Sequence, residues 1–474
     1  MESGSVTFPA NVAKALADRQ LQHAMTETGP RFIIKRSKAR EALPEFDRLR
    51  DISRDIKNHV LENLDVYLER YEKKVTEAGG QVHWASTAED ARQTIIGICK
   101  GADAKIITKG KSMISEEIDL NEALEKAGMT PVETDLGEYL IQLRHERPSH
   151  IIAPAVHLTR DQVEADFRKA HTWLPPERDL TEIPALVEEA RQVLRQKYLD
   201  ADVGITGANF LIAETGTSII VTNEGNGDLT QTLPKVHIVI ASIEKIVPTL
   251  EDAATILRVL ARSATGQDFS NYTTLSTGPR RPGDPDGPVE YHVVILDNGR
   301  SNVLGTEFQD MLRCIRCGAC LNHCPVYQAV GGHAYGWVYP GPIGAVVTPA
   351  LIGIAKAKHL PNASSFCGRC EEVCPMRIPL PHLMRNWREK EFEQHLTPAA
   401  MRSGIKFWAY AARHPRLYRW GARLAARVLG NLGRDKGRIT SLPLASGWTR
   451  FRDLPAPQGR TFLDQWRDRR GGVI

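Results

Sequence analysis

Seven of the eight cysteines in this 474-residue chain lie between Cys314 and Cys374, and their spacing limits what the chain can fold into more than any other feature. The first run, Cys314-x2-Cys317-x2-Cys320-x3-Cys324-Pro325, is the complete bacterial ferredoxin pattern. Three thiolates at that spacing converge on one cubane from a single turn of chain, and the fourth points away to a second cluster. The second run, Cys367-x2-Cys370-x3-Cys374-Pro375, repeats the pattern one ligand short, with Ser364 where a leading cysteine would stand. Interleaving assigns Cys314, Cys317, Cys320 and Cys374 to cluster 1, and Cys324, Cys367 and Cys370 to cluster 2. Zinc knuckles favour paired C-x2-4-C units, and disulfide frameworks belong to small secreted domains. Two [4Fe-4S] clusters explain the spacing better than either.

The second site has three thiolates. It can hold a [3Fe-4S] cluster, or a [4Fe-4S] cluster whose fourth iron takes Ser364, a water, a nearby histidine or a group from a partner. Lability is expected there rather than at cluster 1. The eighth cysteine, Cys99, is flanked by apolar residues in QTIIGICKG and reads as a buried small hydrophobe. His323 and His333 lie close enough in sequence to tune a cluster by hydrogen bonding, or to act as capping residues.

A chain this long exceeds the size of one hydrophobic core, so several domains are expected. Residues 1–45 read as an N-terminal extension. The stretch from Leu49 to Ala78 has apolar positions at helical spacing and ends at Gly79-Gly80, which predicts one long amphipathic helix. Short apolar runs then alternate with helical stretches. Strands are expected at QVHWA (81–85), AKIIT (104–108), TPVET (130–134), HIIAPA (150–155), within 208–225, at VHIVIASIEKIV (236–247) and at VEYHVVIL (289–296). Runs such as VHIVIA do not alternate, which suits strands covered on both faces. An α/β domain over 46–300 follows, then a helical ferredoxin domain over 301–395 and a basic C-terminal region over 396–474.

The sequence start has no basic segment followed by an apolar one, and no long uncharged apolar window occurs, so the chain reads as neither secreted nor membrane-spanning and as cytoplasmic. Its net charge of +4 is unevenly distributed. Residues 401–474 hold 16 Lys/Arg against 4 Asp/Glu, a net +12 that leaves −8 on the rest. Within that region, 406–430 interleaves Phe407, Trp408, Tyr410, Tyr418 and Trp420 with arginines. This suits peripheral contact with the inner face of an anionic membrane, docking on a partner subunit, or packing on the chain itself.

No G-x-G-x-x-G opens a βαβ unit, and neither a Walker A motif nor a flavin signature is present. The clusters therefore read as a wire between a donor and an acceptor. The α/β domain offers one possible ligand constellation, Glu214-Thr215-Gly216-Thr217 and Asn223-Glu224-Gly225-Asn226, at the ends of an apolar strand. Lys109-Gly110-Lys111-Ser112 is a second, anion-binding candidate. No helix-turn-helix signal supports a nucleic-acid partner. A redox or iron sensor, or a catalytic subunit using the open iron, remain as alternatives.

The segments KGKSMISEE (109–117), ITGANFLIAETGTSIIVTNEGN (205–226), DNGRSNVLGT (297–306), both cysteine runs and HAYGWVYPGPIGAVVTP (333–349) together resemble the lactate utilization protein B family. The resemblance implies an α/β domain of the lactate-utilization type, related to the sugar-phosphate isomerase and CoA-transferase fold. It also implies an electron-transfer role in an oxidoreductase complex converting L-lactate to pyruvate. The implied partners are a cysteine-rich protein and a small α/β protein. The family pattern shares the missing eighth cysteine.

Overall fold

The computed structural model describes residues 4–442, 449 and 452–469. It divides into two compact units, Met1–Glu391 and Phe392–Ile474. The segments read as an α/β domain and a ferredoxin domain therefore pack within one unit, together with the N-terminal extension.

Ten strands build the first unit: β1 Gln81–Ala85, β2 Ile106–Lys109, β3 Thr130–Glu133, β4 Val203–Gly207, β5 Phe210–Ile212, β6 Thr217–Thr222, β7 Val236–Ser242, β8 Ile246–Val247, β9 Tyr272–Ser276 and β10 Glu290–Leu296. Six form an all-parallel sheet in the order β1-β10-β7-β4-β2-β3. Alternate residues of its central strands enter two separate cores. Ile205, Ile238, Ile240 and Val294 pack with Ile95, Cys99 and Leu124 on one face. Val239, Ala241, Val293 and Ile295 pack with Leu68, Tyr71 and Val75 on the other. Burial on both faces explains the unbroken apolar runs, and Cys99 is fully buried in the first core.

A smaller sheet, β8-β5-β6-β9, stands beyond the carboxyl ends of the large one. The chain enters it directly from β4 through Ala208-Asn209, and from β7 through the 3-10 turn Ile243–Lys245. Where two parallel strands hand over to a second sheet, their carboxyl ends are left lining a space rather than being covered by helices.

Two expectations need correction. The helix foreseen over Leu49–Ala78 is two helices, Phe46–Glu62 and Leu64–Glu77, broken at Asn63, whose backbone leaves helical geometry (φ −132°, ψ 36°) and whose side-chain amide bonds the His59 carbonyl. HIIAPA is not a strand. His150 is buried, and its Nδ1 accepts the N–H groups of Ile152 (3.1 Å) and Ala153 (3.2 Å), folding the segment back on itself where a ladder would hold it extended. The helices of the N-terminal extension, Phe8–Ala17 and Arg19–Glu41, pack on the cysteine-bearing segment, with Ser5 Oγ donating to Tyr335 O and Gln22 Nε2 to Ala329 O.

The second unit contains helices Ala399–Arg413 and Pro415–Leu432, a two-residue strand pair and helix Phe462–Arg469, which Asp464 ties to Arg423 at 2.6 Å. The basic stretch 406–430 is broken at His414, because the residue before a proline is disfavoured in the α region. Neither long helix has a buried residue. Phe407, Trp408 and Trp420 are 70%, 64% and 65% exposed. No helix among the described residues is long and apolar enough to cross a membrane.

Candidate iron–sulfur centre and adjoining cavity

The two cysteine runs fold alike. After Cys314, Arg316 (φ 60°) and Gly318 (φ 73°) adopt left-handed backbone, and the short helix Ala319–Asn322 follows. After Ser364, Phe366 (φ 55°) and Gly368 (φ 80°) do the same before Arg369–Glu372. A side-chain acceptor sits at the same point in each loop: Arg316 N–H donates to Cys314 Sγ at 3.5 Å, and Phe366 N–H donates to Ser364 Oγ at 3.1 Å. The serine thus occupies the place of a leading cysteine in the backbone as well as in the sequence.

Cys314, Cys317, Cys320 and Cys374 line one small cavity, although Cys374 belongs to the second run. Burial, followed by the repulsion of Cys374 and Cys314, pushes the Cys317 thiol up to about 12. Burial, followed by Cys324, pushes Cys370 to the same level, with Cys367 adding to it. Cys320 feels Cys314 and Cys317 and, after them, Cys370 and Cys374. Thiols that resist ionisation this strongly become thiolates when a metal cation lies between them. The donor set therefore fits iron–sulfur clusters. Cys367 is exposed and the other two thiols of its group are buried, so the three-thiol site faces solvent.

Peptide groups close around the first cavity. Ile378 N–H donates to Cys374 Sγ at 3.4 Å, and Cys324 Sγ caps the helix Pro325–Val330 by accepting from Tyr327 N–H at 3.5 Å. Arg50 donates to the Cys374 carbonyl at 2.7 Å and Arg36 to the Val373 carbonyl at 2.9 Å. Arg36 comes from the N-terminal extension and Arg50 from the helix Phe46–Glu62 that follows it. His323 bonds the Ala319 carbonyl of its own turn, and burial lowers it to about 4. His333 faces the Arg147 carbonyl and His157. Neither ring has a hydrogen bond to a cysteine sulfur.

A second, larger cavity of about 310 Å³ lies at the carboxyl ends of β2 and β4, bounded by Gly110-Lys111-Ser112, Gly207-Ala208-Asn209, β6 and the helix Leu250–Ala264. Ile151 and Arg316 line both cavities, so the two adjoin. The ligand candidates separate accordingly. Asn223 and Glu224 lie at the rim of the larger cavity. Glu214, Thr215, Gly216 and Thr217 are at the far end of β6, in a turn where Gly216 (φ 71°) packs on Lys74 and Val75 and Thr217 bonds Thr277. Lys109 points into the protein, with Nζ 2.6 Å from Glu133 and 2.6 Å from Asn121. Lys111, two residues on, lines the cavity in its place. Sequence reasoning missed Arg316 and Lys245, which also line it; a charged residue inside VHIVIASIEKIV and an arginine between two ligands were the available signals.

Three family models match in succession: a LUD domain over 68–296, a 4Fe-4S dicluster domain over 310–378, and the C-terminal domain of lactate utilisation protein B over 379–471. Lactate utilization protein B of Bacillus licheniformis is 44% identical over 99% of this chain and 98% of its own length. The Bacillus subtilis protein of the same name is 43% identical, again over 99% of this chain and 98% of its own length. The chain belongs to the lactate utilization protein B family. Its parallel α/β sheet, iron–sulfur segment and helical C-terminal region follow the order of the three matched models. A solved structure, a DUF162 family protein from Deinococcus radiodurans, aligns with 49% of this chain and 98% of its own at 15% identity and a TM-score of 0.28, and carries no argument here.

Proposed function

We propose that this chain is the iron–sulfur electron-carrying subunit of a complex that oxidises L-lactate to pyruvate. That reaction releases two electrons and two protons, and a pair of one-electron clusters takes the electrons in turn. Cys314, Cys317, Cys320 and Cys374 hold cluster 1; Cys324, Cys367 and Cys370 hold cluster 2, both of the [4Fe-4S] type. The carrying observation is the convergence of four thiols from two distant runs on one cavity, beside a second group of three.

Family membership supports the pathway and the partners, a cysteine-rich protein and a small α/β protein. The parallel sheet is read as a variant of the sugar-phosphate isomerase and CoA-transferase fold. The exposed aromatic and arginine residues of Ala399–Arg413 and Pro415–Leu432 form the surface that meets an anionic bilayer from the cytoplasmic side.

The test is anaerobic co-purification followed by addition of L-lactate. Reduction of both clusters, seen by electron paramagnetic resonance, is the expected result. Cys374→Ser should abolish the cluster 1 signal and Cys324→Ser the cluster 2 signal. Clusters that stay oxidised in the complete complex would refute the lactate assignment.

A further inference from the structure

The larger cavity has a charge pattern that the wire does not use. Its inner end carries Lys245, 7% exposed at the end of the turn leaving β7, with no hydrogen-bond or ion-pair partner among the described residues. Beside it is Arg316, whose side chain is 10% exposed. One of its nitrogens lies 3.5 Å from Glu244 and the guanidinium stacks 4.4 Å from the Tyr339 ring, but its Nε and Nη1 are buried without partners. At the outer end Lys111 is likewise unpaired, with Glu224 at the rim.

Buried donors are almost always satisfied in folded proteins, so idle ones lining a cavity mark where a ligand supplies the acceptor. A small anion answers the two cations at the inner end. The remaining wall mixes aliphatic side chains such as Ile151, Ile240 and Leu260 with Asp135, amides and hydroxyls, which suits a short carbon skeleton bearing a hydroxyl or oxo group better than a bare inorganic ion. The position is the carboxyl edge of a parallel sheet, where such sheets bind ligands. Arg316 reaches this space because its left-handed backbone turns the side chain back from the cysteine loop toward the sheet.

We propose that this cavity binds a short 2-hydroxy or 2-oxo carboxylate, with its carboxylate on Lys245 and the Arg316 guanidinium, against the wall of the four-cysteine cavity. The choice of acid rests on the lactate reading above; the anion site rests on the geometry alone. Because Arg316 N–H also donates to Cys314 Sγ, an anion here adds negative charge beside cluster 1. Occupancy disfavours the reduced cluster and moves its midpoint potential to a more negative value.

The test uses anaerobically prepared, cluster-loaded, full-length protein, titrated calorimetrically with L-lactate, pyruvate and inorganic phosphate in turn, with redox titration of the clusters in the presence of each. Saturable binding of lactate or pyruvate is expected, weakened at least tenfold by Lys245→Gln, together with a negative shift in the potential of one cluster only. Ala264→Leu, which fills the cavity from the helix side at a distance from the cysteines, should block binding while iron content is retained. Absence of binding by either acid, phosphate binding as tightly as the acids, or full affinity in both variants would each overturn the proposal. Clusters reduced by lactate in the assembled complex despite absent binding here would leave the electron-carrying role standing. Binding here without reduction in the complex would remove that role and keep the site.

Discussion

Replacing Arg300 by methionine tests how the sheet and the cysteine segment are joined. Arg300 is 1% exposed and lies between two buried carboxylates. Its Nη1 and Nη2 reach Glu117 at 2.9 and 2.6 Å, and its Nε reaches Glu244 at 3.1 Å. Glu117 also accepts the Tyr339 hydroxyl from the cysteine segment at 2.6 Å. Burial works against the charge on Glu244, but Arg300, followed by Arg316 and Lys245, outweighs it and holds the carboxyl at about 2 instead of 4.5. At 1.36 kcal/mol per tenfold, that displacement corresponds to roughly 3 kcal/mol. Arg300 is the largest favourable contributor, and its loss also strands Glu117. Removing one partner of such a buried group costs about 3–5 kcal/mol.

The assay is urea unfolding of anaerobic, cluster-loaded protein followed by tryptophan fluorescence, comparing midpoints at a common slope. Arg300→Met should lose about 3–5 kcal/mol. Adding Glu117→Gln should recover part of the loss, because the stranded charge is gone. The sign with pH follows from a depressed carboxyl. The contribution is complete above the ordinary value of about 4.5 and fades as pH falls toward about 2, so the deficit should be constant across roughly pH 6–8. A deficit under about 1 kcal/mol, the scale of an exposed pair, would refute the reasoning.

Two further expectations follow from the geometry. Ser364→Cys should complete a four-thiolate second site and slow its loss of iron in air, measured as iron retained per chain; unchanged loss would show that the loop does not present residue 364 to the cluster. Deleting residues 392–474 should abolish sedimentation with anionic phospholipid vesicles while cluster content is retained; undiminished sedimentation would remove the bilayer reading of the exposed helices.

The duplicated cysteine loop was legible because spacing is a local property, and a proline after each run fixed the alignment that put Ser364 opposite Cys314. Strands β7 and β10 were legible because sheet burial on both faces writes itself as apolar runs, and β1, β2 and β3 because short strands alternate with helical stretches. The segment around His150 misled because its sequence is that of a strand, while the deciding interaction is a ring nitrogen taking two backbone N–H groups, with Nε2 bonded to Asn322 at 3.0 Å. The ligand constellation at Glu214–Thr217 and Asn223–Asn226 reads as one group along the chain, but the two halves lie at opposite ends of β6. Lys109 and Lys111 part because β2 ends at Lys109, whose side chain is tied to Glu133, while Lys111 lies in the loop beyond the strand. The inner end of the cavity was invisible because Lys245 and Arg316 lie 71 positions apart and only the tertiary fold brings them together.

The seating of the N-terminal helices has a consequence for biogenesis. Their hydrogen bonds to Tyr335, Ala329, Val373 and Cys374 span more than 300 residues of chain. At roughly 5–20 residues per second, ribosomal synthesis separates the two partners by about 15–60 s. During that interval the first helices have been made but the surface they close over has not. The oldest part of the chain is thereby among the last to be fastened, because its acceptors on the cysteine segment must be made before it can seat.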